Sequence, residues 1–179
     1  STICSGIGNF GLMGGGSWGY KSTSEKPGAT PVHFTAWSKE NLNICTPQTV
    51  SSGTNSYTLP AVHQSSIHAA SCGIYKASTS TSGEYFLFEN RSPGGYDEGL
   101  YYSINWGSTD YVAGSSTYFT GGIAIWHIKD ILDSCFNEDN VSYYNTCETQ
   151  SPKLLDLEEA NDADLDIASS NGRTTHLFY

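Results

Sequence analysis

Gly6 to Tyr20 reads Gly-Ile-Gly-Asn-Phe-Gly-Leu-Met-Gly-Gly-Gly-Ser-Trp-Gly-Tyr, and seven of these fifteen positions are glycine. Glycine has no Cβ and takes left-handed and tightly bent conformations freely, so the stretch is neither an ordinary helix nor an ordinary strand. A flexible linker would be glycine and serine without large apolar groups. This stretch instead carries Ile7, Phe10, Leu12, Met13, Trp18 and Tyr20, which are expected to be buried, and Met13 is the single methionine of the chain. It is an ordered turn with apolar anchors, and the remaining segments are organised around it.

A phosphate cradle is the competing use of such glycines. Gly14 to Gly16 are not followed by Lys-Ser or Lys-Thr, Gly11 is followed by Leu12 and Met13, and no predicted strand precedes the glycines. Neither a P-loop nor a dinucleotide-binding turn is therefore indicated.

The chain has 179 residues, enough for one domain with a sizeable core. Charged residues make up 15%, and 8 Lys and Arg stand against 18 Asp and Glu for a net charge of −10. Nucleic acid and anionic membranes are poor partners for such a surface, because phosphate binding rests on Lys and Arg. No apolar run approaches the roughly 18 residues of a membrane span. Abundant Gly, Ser, Thr and Tyr give a β-rich, loop-rich, extracellular profile, and Ser1 is expected to follow a proteolytic cut.

Five cysteines point to an oxidising compartment. Cys135 with Cys147 would close a short loop and Cys45 with Cys72 a longer one, each worth about 3 kcal/mol in the chain-entropy model. Cys4 is left over, either as a buried thiol or as the partner of a cysteine in a segment outside this chain.

Proline 31 opens Val32 to Leu42, where Phe34, Trp37 and Leu42 fall at helical spacing; a short amphipathic helix with these three in the core is expected. His33 is expected to be solvated or capping. Beyond Gln48, short β-branched and aromatic runs alternate with Ser, Gly and Asn turns. Tyr57–Leu59, Ile67–Ala69, Ile74–Lys76 and Glu84–Arg91 read as strands. Gly121 to Ile128 is apolar on both faces and reads as a central strand. Leu154 to Ala160 fits a strand or a helix. Asp162, Asp164 and Asp166 place oxygen donors at alternate positions, and Asp133 and Asp139 lie in a second oxygen-rich loop; calcium or a solvated acidic edge would explain both. Asn140-Val141-Ser142 is a glycosylation sequon.

Four blocks then stand in order: Gly11-Leu12-Met13-Gly14 with Ser17-Trp18-Gly19; Pro31 with Ala36-Trp37-Ser38-Lys39 and Leu42; Glu84-Tyr85-Phe86-Leu87 with Glu89-Asn90-Arg91 and Gly95-Tyr96-Asp97; and Gly122-Ile123 with Ile125-Trp126-His127-Ile128. This order resembles the later half of the catalytic domain of immune-inhibitor-A-type metallopeptidases, and the resemblance covers nearly the whole chain. It implies a secreted zinc endopeptidase whose H-E-x-x-H helix precedes a methionine turn, with zinc activating a water and the Glu of the motif as general base. The chain contains no H-E-x-x-H, and none of its five histidines has the required spacing.

The resemblance thus implies that residues 1–179 are a single unit, the C-terminal part of a zincin-like catalytic domain, inactive alone. The expected fold is α+β and β-rich: a methionine-turn loop, a short helix and mostly antiparallel strands. Met13 would lie beneath the zinc without coordinating it. Gly14, Trp18, Tyr20, Asn90, Arg91 and Asp97 would border the cleft for a peptide or protein substrate. The catalytic residues and zinc ligands would come from the upstream half of the same precursor, to which Cys4 could be joined. Arg91 could meet a substrate carbonyl or carboxylate, or form an internal ion pair with Glu89 or Asp97. His127 and Trp126 would be structural. The rival reading is a non-catalytic secreted module that stacks glycans or packs a protein partner on Trp18, Tyr20, Tyr101, Tyr102 and Trp106. A degenerate peptidase domain kept as an inhibitor or scaffold is a third.

Overall fold

The computed structural model describes residues 7–64, 72–103, 121–129, 155–158, 160, 177 and 178. Cys4, the Cys135–Cys147 pair, the acidic residues Asp133, Asp139, Asp162, Asp164 and Asp166, the Ile67–Ala69 strand, the sequon at Asn140, Trp106 and the Tyr102 side chain lie outside the described residues.

The fold is α+β, with little helix and a mixed sheet of five strands among the described residues. In chain order these are β1 (Gln48–Thr49), β2 (Ile74–Ser78), β3 (Glu84–Arg91), β4 (Gly122–Lys129) and β5 (Leu155–Glu158), and they are also neighbours in that order. β1 runs parallel to β2, and every other pair is antiparallel. β3 and β4 form the longest ladder, Glu84 opposite Lys129 through Arg91 opposite Gly122. β4 is flanked on both sides, as its apolar composition requires, although β3 is the middle strand. Tyr57 to Leu59 forms no strand and lies outside the ladder.

Strand alternation divides the sheet into two faces. One face carries Leu87, Glu89 and Arg91 of β3, Ala124, Trp126 and Ile128 of β4, and Leu155 and Leu157 of β5, all buried. Against it lie Phe10, Val32, Leu100 and the helix α1 (Ala36–Asn41). The other face presents Phe86, Phe88, Ile123, Ile125 and His127, all half-buried.

α1 begins five residues later than the proline signal suggested. Thr35 is its N-cap, and the Thr35 hydroxyl accepts from the Ser38 N–H at 3.1 Å, which meets one of the otherwise orphaned donors. Pro31 to Thr35 therefore runs as non-helical chain into the cap. This shift in phase changes which residues are buried: Ala36, Ser38 and Lys39 face inward, Trp37 packs at the core's margin, Phe34 is half-buried, and Leu42 is 58% exposed instead of belonging to the core. Asn43, at φ 55°, ends the helix. The Cys45–Cys72 disulfide joins the segment after α1 to the start of β2, with Cα atoms 5.7 Å apart. No helix among the described residues is long and apolar enough to cross a membrane.

Candidate functional site

The glycine-rich stretch folds as two short 3-10 turns, Gly8–Phe10 and Gly15–Trp18, joined by a tight bend. Within it Gly14 N–H donates to Gly11 O at 2.9 Å and Gly16 N–H to the same carbonyl at 3.1 Å. It is also tied to its surroundings: Leu12 N–H donates to His33 O, Val32 N–H to Gly16 O, Thr30 N–H to Gly19 O and Tyr20 N–H to Gly99 O. Close approach, more than left-handed geometry, explains the glycines. Among the described residues of the stretch only Gly8 has a positive φ, of 48°. At Gly16 a Cβ would stand 2.2 Å from Val32 Cγ2 and 2.6 Å from Asn9 O, so the backbone reaches this position only without a side chain.

The apolar anchors are fewer than the composition suggested. Ile7 and Phe10 are buried and Leu12 and Tyr20 half-buried, but Met13 is 56% exposed and Trp18 61% exposed. The 3-10 turn Gly95–Gly99, adjacent through the Tyr20 to Gly99 bond, presents Tyr96 at 61% exposure. Three of the five exposed large hydrophobic side chains among the described residues thus sit on these two linked segments.

Beneath this surface is a buried charge network that holds the four sequence blocks together. Arg91, with a side chain 0% exposed, donates from Nε to Asp97 Oδ2 at 2.6 Å and from Nη2 to Asp97 Oδ1. Its Nη1 reaches Glu89 Oε1 at 3.1 Å and the carbonyl of Phe10 at 2.6 Å. Lys39 Nζ donates to Glu89 Oε2 at 2.8 Å, and Trp126 Nε1 to Glu89 Oε1 at 2.9 Å. His33 N–H donates to Asp97 Oδ1 at 3.4 Å. Two cations and two carboxylates balance, which is the condition for keeping charge in a low-dielectric interior.

The electrostatics follow from that balance. Burial raises the Glu89 carboxyl, but Lys39 and Arg91 outweigh it and hold the group below the usual carboxylate range. Burial pulls the Arg91 guanidinium down and Asp97 and Glu89 more than restore it, so it stays charged. At Lys39 burial wins over Glu89, and the amine lies below the ordinary lysine value. His33 is not on the helix, and its side chain is half-buried. Burial first, then the charges of Lys39 and Arg91 against the opposing pull of Asp97, push it down to about 4, so the ring is neutral at neutral pH. Its Nε2 is buried with no hydrogen-bond partner among the described residues, and its ring meets Tyr96 edge-on at 5.3 Å.

The expected cleft residues are therefore separated. Met13, Gly14, Trp18 and Tyr20 share the loop, with Gly14 half-buried. Of the two readings for Arg91, the internal ion pair is the one found, and Asp97 is buried with it; neither borders an open cleft. Asn90 belongs to the opposite face of β3 by alternation, where Nδ2 donates to Leu59 O at 3.0 Å. Lys39, Glu89 and His33 were not singled out by sequence as parts of one centre. The available signal was Glu89 and Arg91 at i and i+2 after Leu87: two charges in phase with a core position on an alternating strand. Among the described residues no three His, Cys, Asp or Glu side chains converge to hold a metal ion. Comparison with protein-family models, with curated proteins and with solved structures gave no match.

Proposed function

We propose that this chain is the C-terminal part of the catalytic domain of a secreted zinc endopeptidase, supplying the methionine turn and one wall of the substrate cleft. The observation that carries this reading is the contrast at Gly6–Tyr20: a backbone hydrogen-bonded to two neighbouring segments, the stretch from Gly28 to His33 and Gly99, and anchored through Phe10 O to Arg91, yet presenting Met13 and Trp18 to the outside. A loop fixed so firmly around exposed apolar side chains is built to meet something.

In this reading the occupant is the upstream half of the same precursor, which carries the zinc ligands and the general base. Zinc held there would activate water for attack on a peptide carbonyl. This chain would contribute Met13 as an apolar floor and Trp18 and Tyr20 as contacts for substrate side chains. The described residues fit that share of the work, since Met13 and Trp18 offer an exposed apolar surface. Calcium at the acidic loops remains part of the proposal.

Mass spectrometry and metal analysis of the native material test it. The expected result is a co-purifying polypeptide bearing H-E-x-x-H, about one zinc per complex, and peptidase activity lost on chelation. Native material with neither the polypeptide nor zinc would sink the reading. The exposure of Trp18 and Tyr96 also favours the rival, an aromatic binding module for glycans. Glycan-array binding by this chain, abolished by Trp18→Ala, would select that instead.

A further inference from the structure

His127 stands apart from the charge network, on the other face of β4. Phe86, opposite it on β3, stacks on the ring with centroids 4.4 Å apart and planes inclined by 21°. His127 Nε2 lies 3.0 Å from Glu84 Oε1 on β3, and His127 Nδ1 lies 2.9 Å from Glu158 Oε1 on β5. A neutral imidazole has one N–H and one lone pair, so it donates to one carboxylate and sets its lone pair against the other. An imidazolium donates to both. Only the doubly protonated ring satisfies Glu84 and Glu158 together, and it then spans three adjacent strands.

We propose that His127 is a protonation-gated clip on β5, the last strand of the sheet among the described residues. As imidazolium it ties Glu158 to β4; on deprotonation it keeps Glu84 and releases Glu158. The asymmetry comes from the two carboxylates. Glu84 is fixed, since its Oε2 accepts from the Thr79 hydroxyl at 3.0 Å and its side chain is 19% exposed, whereas Glu158 is 43% exposed. Hydrogen bonds from His127 first, then Thr79, hold the Glu84 carboxyl below its ordinary value, so it remains an acceptor. The other charged groups of this face among the described residues are Lys129 on β4, in register with Glu84, and Asp156 on β5, in register with His127.

What the clip holds is a covered edge. β5 lays Leu155 opposite Ile128 and Leu157 opposite Trp126, with the two leucines 1% and 2% exposed. Releasing β5 would uncover these side chains and the unpaired N–H and C=O groups along β4, a template for another strand. The chain would then gain a sticky edge as the ring loses its proton and close it on reprotonation.

Nuclear magnetic resonance on the 179-residue chain tests this, following the His127 ring shifts and the exchange of the β5 amides in the same samples across pH. After correction for the intrinsic exchange rate, protection of Leu155–Glu158 should fall by about fivefold, the scale of a half-exposed ion pair, in step with the ring titration. Glu158→Gln and His127→Gln should each remove that step and leave the β2–β3 amides unchanged. Should His127→Gln fail to fold, Glu158→Gln at the edge reads the clip alone. Unchanged β5 protection while the ring titrates, or the same step persisting in Glu158→Gln, would overturn the proposal.

Discussion

Arg91 makes each of its described hydrogen bonds to an internal acceptor: both oxygens of Asp97, Glu89 Oε1 and the Phe10 carbonyl. Its removal leaves two carboxylates against the single charge of Lys39 in a dry interior. Arg91→Ala should therefore lower the stability measured by urea unfolding by about 3–5 kcal/mol, whereas Lys21→Ala, which breaks the surface pair with Glu98, should leave the midpoint unchanged. Arg91→Lys should recover only part of the loss, because an ammonium cannot reproduce the bidentate fork on Asp97. His33 makes a different demand. Its folded value of about 4 lies below the ordinary 6.5, so between these limits the unfolded chain binds the extra proton. Stability from this residue is fully present above pH 6.5, declines as pH falls through the window and levels out below about 4. His33→Asn should flatten that part of the stability–pH curve. The slope below the ordinary carboxylate value of 4.5, to which Glu89 contributes through its lowered carboxyl, should persist. An unaltered slope between pH 4 and 6.5 in the variant would show that His33 is not its source.

At the scale of elements, the loop depends on contacts that no larger residue permits. Gly16→Ala places a methyl against Val32 Cγ2 and the carbonyls of Asn9 and Gly11, the second of which is held by the loop's own hydrogen bonds from Gly14 and Gly16. The expected cost is about 1–3 kcal/mol in thermal or urea unfolding, the range of overpacked interiors. Gly53→Ala would serve as control for the contact, since nothing stands within 4 Å there, although its φ of 108° adds backbone strain of its own. The elements also show why some of the fold was legible. Glu84–Arg91 and Gly122–Lys129 could be read because each contains a continuous run of four aromatic or apolar residues, Tyr85–Phe88 and Ile123–Trp126, in a segment of strand length. β1 has two exposed residues and carries no pattern at all. The helix was placed in the right segment but out of phase, since Pro31 resembles a first-turn residue and the operative signal is the Thr35 cap with Ser38 three positions on. The candidate site was less accessible. Alternation put Glu89 and Arg91 on the core side, but a bond from Arg91 to Phe10, 81 positions away, follows from tertiary packing and not from any local period.

For the molecule as a whole, the four blocks that suggested a peptidase are joined by one buried hydrogen-bonded network. Glu89 binds Lys39, Arg91 and Trp126, Arg91 binds Asp97 and Phe10, and the His33 main chain links Asp97 to Leu12. These residues stabilise a platform; the chemistry proposed for it must occur on the exposed side. That gives Met13 a use as a reporter, because it is the single methionine of the chain and any sulfoxide formed must be at this position. In the separate chain its side chain is 56% exposed, so mild peroxide should add one oxygen readily. In native material, where the zinc-bearing half is proposed to cover the loop, oxidation should slow by about tenfold or more, and chelation that loosens the complex should restore it. Mass spectrometry of intact chain against time measures both rates directly. Equal oxidation of the separate and native forms would mean that nothing rests on this loop, and the apolar surface would then belong to the binding-module reading.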